Sequence, residues 1–222
     1  MRKHTRKFLS LFLSLSMASS FCIPAMAAEG DTTAATDDGI VVLYTNDVHC
    51  TSDDGMSYAA IAAYKAEMEA SYGADNVTLV DNGDAIQGGI LGSLSKGSWI
   101  VDIMNNVGYD IAIPGNHEFD YGMDTFLDIA KNQAEYTYVS GNYVDAVGKT
   151  VLEPYNMVTY GDVDVAYVGI STPETLTKSA PAYFQNDKGE YIYGFCQDKD
   201  GKALYDQVQD TVDAARKAGA DY

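Results

Sequence analysis

Three short segments of the chain carry side chains that can bind metal ions. They are Asp47-Val48-His49, Gly83-Asp84 and Gly115-Asn116-His117-Glu118-Phe119-Asp120. The 222-residue chain has three histidines, and two of them, His49 and His117, lie in these segments. Carboxylate, amide and imidazole ligands together suit zinc, manganese or iron better than calcium. The pattern indicates a two-metal centre of the kind that hydrolyses phosphate esters.

Each of these segments follows a predicted strand. Apolar, β-branched runs predict strands at Ile40–Tyr44, Val77–Val80 and Ile111–Ile113. Helical spacing of apolar residues predicts the helices between and after them, at Met56–Tyr72, Ser98–Val107 and Met123–Lys131. Alternation of this kind is typical of a parallel sheet, and the carboxyl ends of its strands share one edge. The three segments are therefore expected to meet in one crevice.

Their spacing assigns ligands to two ions. Because residues i and i+2 of a strand face the same way, we expect Asp47 and His49 to bind the first ion together. The two oxygens of Asp84 can bridge two ions that lie about 3.5–4 Å apart. Asn116 offers a neutral carbonyl oxygen to the second ion.

His117 and Asp120 are three residues apart where a helix is expected to begin, which places their side chains together. A carboxylate beside an imidazole orients the ring and favours its charged form. Such a pair suits a catalytic histidine that stabilises a phosphoryl oxygen or protonates a leaving alkoxide. The alternative for Asp120 is an ordinary helix-capping role.

The second half of the chain has a different pattern. Tyr155–Tyr160 and Val163–Ile170 predict an antiparallel hairpin through a turn at Gly161-Asp162. An irregular stretch from Ser171 to Gly201 follows. An amphipathic helix is predicted at Ala203–Ala218, with Gly219 as its stop. The chain then ends within three residues, which suggests a truncated protein.

The first 27 residues have the pattern of a secretory signal peptide. Four basic residues precede a largely apolar stretch, and Ala25-Met26-Ala27 resembles a cleavage site. A membrane anchor is the alternative, but serines interrupt a run that is shorter than the roughly 20 residues a span requires. We therefore expect a secreted, periplasmic or envelope-associated protein with no membrane span, a flexible lead-in at 28–39 and one domain at 40–222.

Charge and cysteine content exclude other classes. The formal net charge is −18, and removal of the four basic residues of the leader makes it more negative still. Such a chain will not bind a nucleic acid polymer through a basic face, and metal ions would be needed to attract an anionic substrate. The three cysteines, of which Cys50 and Cys196 follow the leader, exclude a dense disulfide framework. A single bridge between those two is an open but weak alternative.

The three segments, in their longer forms Tyr44–His49, Asn82–Gly88 and Gly115–Gly122, resemble the signature blocks of the exported 5′-nucleotidases within the calcineurin-like metallophosphoesterases. The resemblance implies an α/β fold, a calcineurin-like metallophosphoesterase βαβ sandwich with mixed sheets, here C-terminally incomplete. It also implies two divalent metal ions, zinc, manganese or similar, and a small nucleotide substrate. A C-terminal nucleotide-binding domain is expected in the full-length parent.

The resemblance also implies residue roles. Residues matching Asp47, His49 and Asp84 bind the first metal in this family, and those matching Asp84 and Asn116 bind the second. Residues matching His117 and Asp120 form the catalytic pair. The ions provide the nucleophile that attacks phosphorus and neutralise the developing charge.

Two departures from the family pattern matter. Cys50 stands where many members have glycine, and we expect its thiol to be structural rather than a metal contact. The family completes its metal shell with further histidines, and this chain has none after His117. The chain by itself is thus expected to be inactive or nearly so. Two other functions are a non-catalytic exported binding module and, less in keeping with the residues, a thiol-dependent hydrolase that uses Cys50.

Overall fold

Four parallel strands form the sheet at whose edge the predicted ligands lie. The computed structural model describes residues 39–51 and 57–222, so the predicted signal peptide and all of the lead-in except Gly39 lie outside the described residues. The strands stand in the order β1-β2-β3-β4 and span Val41–Thr45, Val77–Asp81, Ile111–Ala112 and Thr137–Tyr138. The predicted parallel sheet is confirmed, and β4 is a strand that the sequence pattern did not reveal.

The centre of this sheet is β2, in which every residue is buried. A parallel sheet is covered on both faces, so its central strand can be apolar throughout rather than alternating. Leu79 faces the main core, whereas Val80 joins a smaller cluster on the other face with Ile111 and Val139. The carboxyl end of β2 is thereby held rigidly between two layers.

Helices lie between and after the strands of this sheet, and the first of them contacts β1 and β2. They are α1 at Tyr58–Tyr72, α2 at Gly89–Ser95, α3 at Ser98–Val107 and α4 at Met123–Asp128. The first helix begins after Ser57, whose side chain accepts a hydrogen bond from the Ala60 N–H at 3.3 Å. The bounds of α3 match the prediction. The helix predicted to reach Lys131 is α-helical only to Asp128, because the chain continues as a π-helix at Ile129–Gln133.

The second layer is a separate antiparallel sheet. Strands β6 and β7 span Tyr155–Tyr160 and Val163–Val168, as the hairpin pattern predicted, although β7 ends two residues early. Gly169 follows it so close to Val139 that a Cβ atom there would lie 2.2 Å from the Val139 carbonyl oxygen. Strands β5 and β8, at Val144–Asp145 and Tyr193–Gly194, pair with each other.

The predicted irregular stretch, 171–201, contains short regular pieces. They are helix α5 at Thr175–Lys178, a 3₁₀ turn at Pro181–Phe184 and strand β8. The last helix, α6, spans Lys202–Lys217 and contacts both strands of the hairpin. Within the described residues, none of the helices has the length and apolar character needed to cross a membrane.

An aromatic cluster lies beneath the predicted catalytic segment. Phe119 is fully buried, and its ring centroid lies 4.7 to 5.7 Å from those of four other aromatic side chains: Phe126, Tyr143, Phe184 and Phe195. Centroids at these separations, mostly in tilted or edge-to-face arrangements, contribute beyond simple burial. The cluster therefore joins the predicted catalytic segment to the chain around Phe184 and Phe195.

Replacement of Phe119 by alanine is expected to lower the free energy of unfolding by about 3–5 kcal/mol, because a large core ring leaves a cavity. Urea denaturation of the purified chain measures this. Tyr205→Ala is the control, since the Tyr205 side chain is 75% exposed and its loss should cost little. Equal losses in both variants would contradict the central position of Phe119.

Candidate metal centre

The loops that follow β1 and β2 are hydrogen-bonded side by side. The Asp47 N–H donates to the Gly83 carbonyl at 3.0 Å, and the His49 N–H donates to the Asp84 carbonyl at 2.9 Å. A third bond, from the Cys50 N–H to the Ala85 carbonyl, is also 2.9 Å long. The first two predicted segments therefore continue the pairing of their strands beyond the sheet.

The strand geometry expected for Asp47 and His49 is wrong. Strand β1 ends at Thr45, and Asp47, His49 and Cys50 have φ angles of 62°, 48° and 60°. The two side chains nevertheless meet, since the His49 Nε2 lies 2.9 Å from the Asp47 Oδ1. Left-handed backbone is costly for residues with a Cβ atom and persists only where the surroundings impose it. The backbone bonds to the β2 loop provide that constraint.

The third segment reaches the other two through a close approach of glycines. A Cβ atom on Gly83 would lie 2.4 Å from the Gly115 nitrogen, and one on Gly115 would lie 2.3 Å from the Asp84 Oδ1. A residue with a Cβ atom therefore does not fit at position 83 or 115 unless these neighbouring atoms move. The approach allows the His117 N–H to donate to the Asp84 Oδ1 at 2.7 Å.

Two imidazoles and a carboxylate converge at this point. Among the His, Cys, Asp and Glu side chains of the described residues, His49, Asp84 and His117 place their ligand atoms within 4.8 Å of one another. The two imidazole rings meet edge to face, with centroids 5.0 Å apart. The His49 imidazole and the Asp84 carboxylate are donors that fit a divalent ion such as zinc, manganese or iron, and the His117 ring lies beside them.

Each of the other predicted ligands adjoins a member of this cluster, Asp47 through a contact with His49 and Asn116 as the neighbour of His117 in the chain. Asp47 contacts His49 from a position where 60% of its own side chain is exposed. Asn116 is partly buried and directly precedes a 3₁₀ turn at His117–Phe119. The structure thus adds His117 to the converging atoms, although the sequence indicated only a catalytic role for it.

Gln87 holds the His49 ring. The His49 Nδ1 lies 3.1 Å from the Gln87 carbonyl oxygen and 3.0 Å from its Oε1. Both are acceptors, so Nδ1 carries the proton and Nε2 is the nitrogen left for a metal. Burial opposes the charged ring, but the Gln87 acceptors and the carboxylates of Asp84 and Asp47 outweigh it and raise the pKa of His49.

His117 and Asp120 form the expected pair. The His117 Nδ1 lies 2.6 Å from the Asp120 Oδ2. The other oxygen of Asp120 accepts a hydrogen bond from the Ser179 hydroxyl at 2.9 Å. Because these two side chains engage both oxygens, the helix-capping alternative for Asp120 is disfavoured.

Glu118 connects the loops that follow β2 and β3, a role that the sequence did not indicate. Its side chain is fully buried, and its oxygens accept bonds from the N–H groups of Asp84, Ala85 and Gly115 at 2.8, 2.8 and 2.6 Å, with a longer one from Ile86. Burial raises the pKa of Glu118, whereas these donors stabilise its ionised form. One carboxylate therefore joins the β2 loop to the β3 loop.

Asp81 is a second buried acid at this edge. It accepts hydrogen bonds from the Thr45 hydroxyl at 3.0 Å and from the Gly83 N–H at 3.1 Å. Burial, together with the nearby Glu118, raises the pKa of Asp81 to about 8. The sequence does not indicate the structural role of either acid. A carboxylate near a metal-binding motif predicts a ligand or an exposed residue, not a buried acceptor of backbone hydrogen bonds.

Both cysteines of the described chain are free thiols. Cys50 is buried, and its Sγ donates to the Ala85 carbonyl at 3.5 Å. Burial raises the pKa of Cys50 to about 11, so the thiol is neutral and a poor nucleophile or ligand at neutral pH. These features favour a structural thiol and disfavour the thiol-hydrolase alternative.

Comparison with known proteins gives the class. The family model for calcineurin-like phosphoesterases matches residues 40–203. The chain belongs to the calcineurin-like phosphoesterase family, which confirms the family and fold class predicted from its motifs.

Its relatives include enzymes that act on nucleotides. A snake venom 5′-nucleotidase of Gloydius brevicauda is 32% identical over 68% of this chain and 28% of its own length. The trifunctional nucleotide phosphoesterase protein YfkN of Bacillus subtilis is 30% identical over 79% of this chain and 14% of its own length. The chain thus spans less than a third of either relative.

Solved structures share the fold. The crystal structure of the calcineurin-like phosphoesterase YfkN from Bacillus subtilis covers 81% of this chain and 59% of its own, with a TM-score of 0.65 and 24% identity. A 5′-nucleotidase precursor from Thermus thermophilus covers 81% of this chain and 35% of its own, with a TM-score of 0.63 and 24% identity.

Replacement of Glu118 by glutamine is expected to destabilise the protein by about 2 kcal/mol or more. A glutamine has one oxygen for donors that now share two, so at least one N–H loses its buried partner. Chemical denaturation gives the change in unfolding free energy. Glu135→Gln, at an exposed position, is the matched control. Glu118 would have no such connecting role if both variants were equally stable.

Proposed function

We propose that the protein is a metal-dependent phosphoesterase that hydrolyses nucleotide phosphate esters. The observation that carries the proposal is the convergence of His49, Asp84 and His117 at the carboxyl edge of the sheet. The hydrogen-bonded partner of His117, Asp120, completes a group able to move a proton beside the proposed ions.

The proposed roles follow the resemblance and the contacts. Asp47, His49 and Asp84 hold one ion, and Asp84 and Asn116 contribute to a second. When bound, the ions supply the attacking nucleophile and neutralise charge on the phosphoryl group. Asp120 orients His117 through Nδ1, so its other nitrogen is the one that donates to a phosphoryl or leaving-group oxygen.

Nucleotides are the proposed substrates because the relatives are named for nucleotide hydrolysis. The 5′-nucleotidase, UDP-sugar hydrolase and 2′,3′-cyclic phosphodiesterase activities are the three to be tested. The acidic chain, with a formal charge of −18, repels such anions overall. Bound cations would reverse this effect locally.

Export is also part of the proposal. It rests on the basic and apolar pattern of residues 1–27 and on the occurrence of a related 5′-nucleotidase in snake venom. A nucleotide-binding domain in the full-length protein is proposed because the relatives are much longer than the matched segment.

The alternative is an exported binding module that keeps the fold without catalysis. The His117–Asp120 pair argues against it, because a binding site for metal or ligand needs no oriented proton donor. Metal content distinguishes the two functions, since the enzyme requires two ions per full-length protein.

The Asp84→Asn variant of the full-length protein is expected to contain less metal and to lose activity more than about 100-fold, beyond the usual cost of losing an outer-shell partner. The assay measures phosphate release from AMP, a UDP-sugar and a 2′,3′-cyclic nucleotide with added manganese or zinc. Asp102→Asn, at an exposed position on α3, is the control. If the wild-type protein released phosphate from none of the three substrates, the proposal would fail.

The 222-residue chain by itself is expected to hydrolyse these substrates very slowly or not at all. Its sequence has no histidine after His117, so the second ion would have only Asp84 and Asn116 as proposed protein ligands. Steady-state assays of the purified chain with excess manganese test this. A rate comparable with that of the Bacillus subtilis relative would show that the ligands present are sufficient.

A further inference from the structure

We propose that Ser179 is a positioning residue for the catalytic pair, a role that rests on the proposed phosphoesterase function. Its hydroxyl donates to the Asp120 Oδ1 at 2.9 Å, and the Asp120 Oδ2 contacts the His117 Nδ1 at 2.6 Å. Ser179 lies 59 residues after Asp120 and outside all three metal-binding segments. The three side chains form one continuous hydrogen-bonded chain, Ser179–Asp120–His117.

The second hydrogen bond restricts the orientation of the carboxylate. Rotation about the last torsion of an aspartate is soft, so a carboxylate held through one oxygen can still turn. With donors on both oxygens, the plane of the Asp120 carboxylate is defined. The direction in which it holds the His117 ring is then defined as well, which is the usual effect of a partner behind a functional histidine.

Burial makes the Ser179 contact difficult to replace. The residue is only 7% exposed, so water has little access to the place of a missing hydroxyl. Its N–H is used separately, as it donates to the Thr175 carbonyl at 3.1 Å at the end of α5. The hydroxyl proton is therefore free to be committed to Asp120.

The fold explains how a distant serine reaches this site. Ser179 lies just before the 3₁₀ turn at Pro181–Phe184, whose last ring packs against Phe119 with centroids 5.1 Å apart. Phe119 is the neighbour of Asp120 in the chain. One aromatic contact thereby aligns the two segments, and the serine and the aspartate face each other beside it.

The role predicts a dependence on the leaving group. In the hydrolysis, water adds to phosphorus and the P–O bond to the leaving group breaks. His117 gives its proton to the departing oxygen. The proton released by the attacking water passes to solvent, and the His117 ring then takes up a proton from solvent. A basic leaving group such as the ribose 5′-oxygen of AMP needs this proton, whereas p-nitrophenolate needs it much less.

The test compares Ser179→Ala with wild type in the full-length protein. We expect kcat for AMP to fall about tenfold or more, within the usual range for an outer-shell partner, and kcat for p-nitrophenyl phosphate to fall much less. Ser179→Thr keeps the hydroxyl and should restore the AMP rate. Thr211→Val removes another buried hydroxyl, on α6, and should alter neither rate selectively.

A second readout is independent of turnover. In the metal-free 222-residue chain, the proton on the His117 Nδ1 should give a hydrogen-bonded imidazole NMR signal that shifts or exchanges faster in Ser179→Ala but not in Thr211→Val. An unchanged signal, or equal loss of rate on both substrates, would overturn the role of Ser179. A wild-type protein inactive on every ester would refute the proposed function instead, and the NMR comparison would still decide whether Ser179 orients the pair.

Discussion

The buried carboxylate of Glu118 is the constraint on which the site depends. It accepts backbone N–H groups from the loop that carries Asp84 and from Gly115, at the start of the segment that carries His117. Backbone donors buried at a sheet edge require partners, and a buried charge requires donors, so each satisfies the other. Because Glu118 bonds to backbone N–H groups, it determines the positions of the loops independently of the ligand side chains that they carry.

The 3₁₀ turn at His117–Phe119 directs neighbouring side chains to different parts of the structure. With about three residues per turn, side chains three apart lie over one another, which is why His117 and Asp120 touch at 2.6 Å. Between them, Glu118 points to the loops and Phe119 enters the aromatic cluster. One short segment thus joins the core, the loop anchor and the proposed catalytic pair, so a disturbance of the core there would reach the His117–Asp120 contact directly.

Much of the scaffold could be predicted because its signals are local. Continuous apolar runs revealed the first three strands of the parallel sheet, and their polar ends revealed the candidate ligands. Helix α2 was missed because Gly88, Gly89 and Gly92 obscure its pattern. The left-handed backbone after Thr45 was missed because a pattern of apolar residues does not report the sign of φ at the polar residues that follow a strand. Glu118 was missed since its partners in the β2 loop, such as Ala85, lie about 33 residues away in the chain, and Ser179 was missed since Asp120 lies 59 residues away.

The residues with left-handed backbone conformations also determine where a substitution by glycine would relieve strain. Asp47, His49, Cys50 and Asp84 all have positive φ angles, which glycine adopts at no steric cost. The first, second and fourth must keep their side chains if they are to bind metal, so the steric cost remains there. Cys50 bears the same cost for a buried thiol whose Sγ donates to the Ala85 carbonyl. Glycine at position 50 would therefore relieve backbone strain at the cost of one buried thiol, whereas at the other three positions it would also remove a proposed metal ligand.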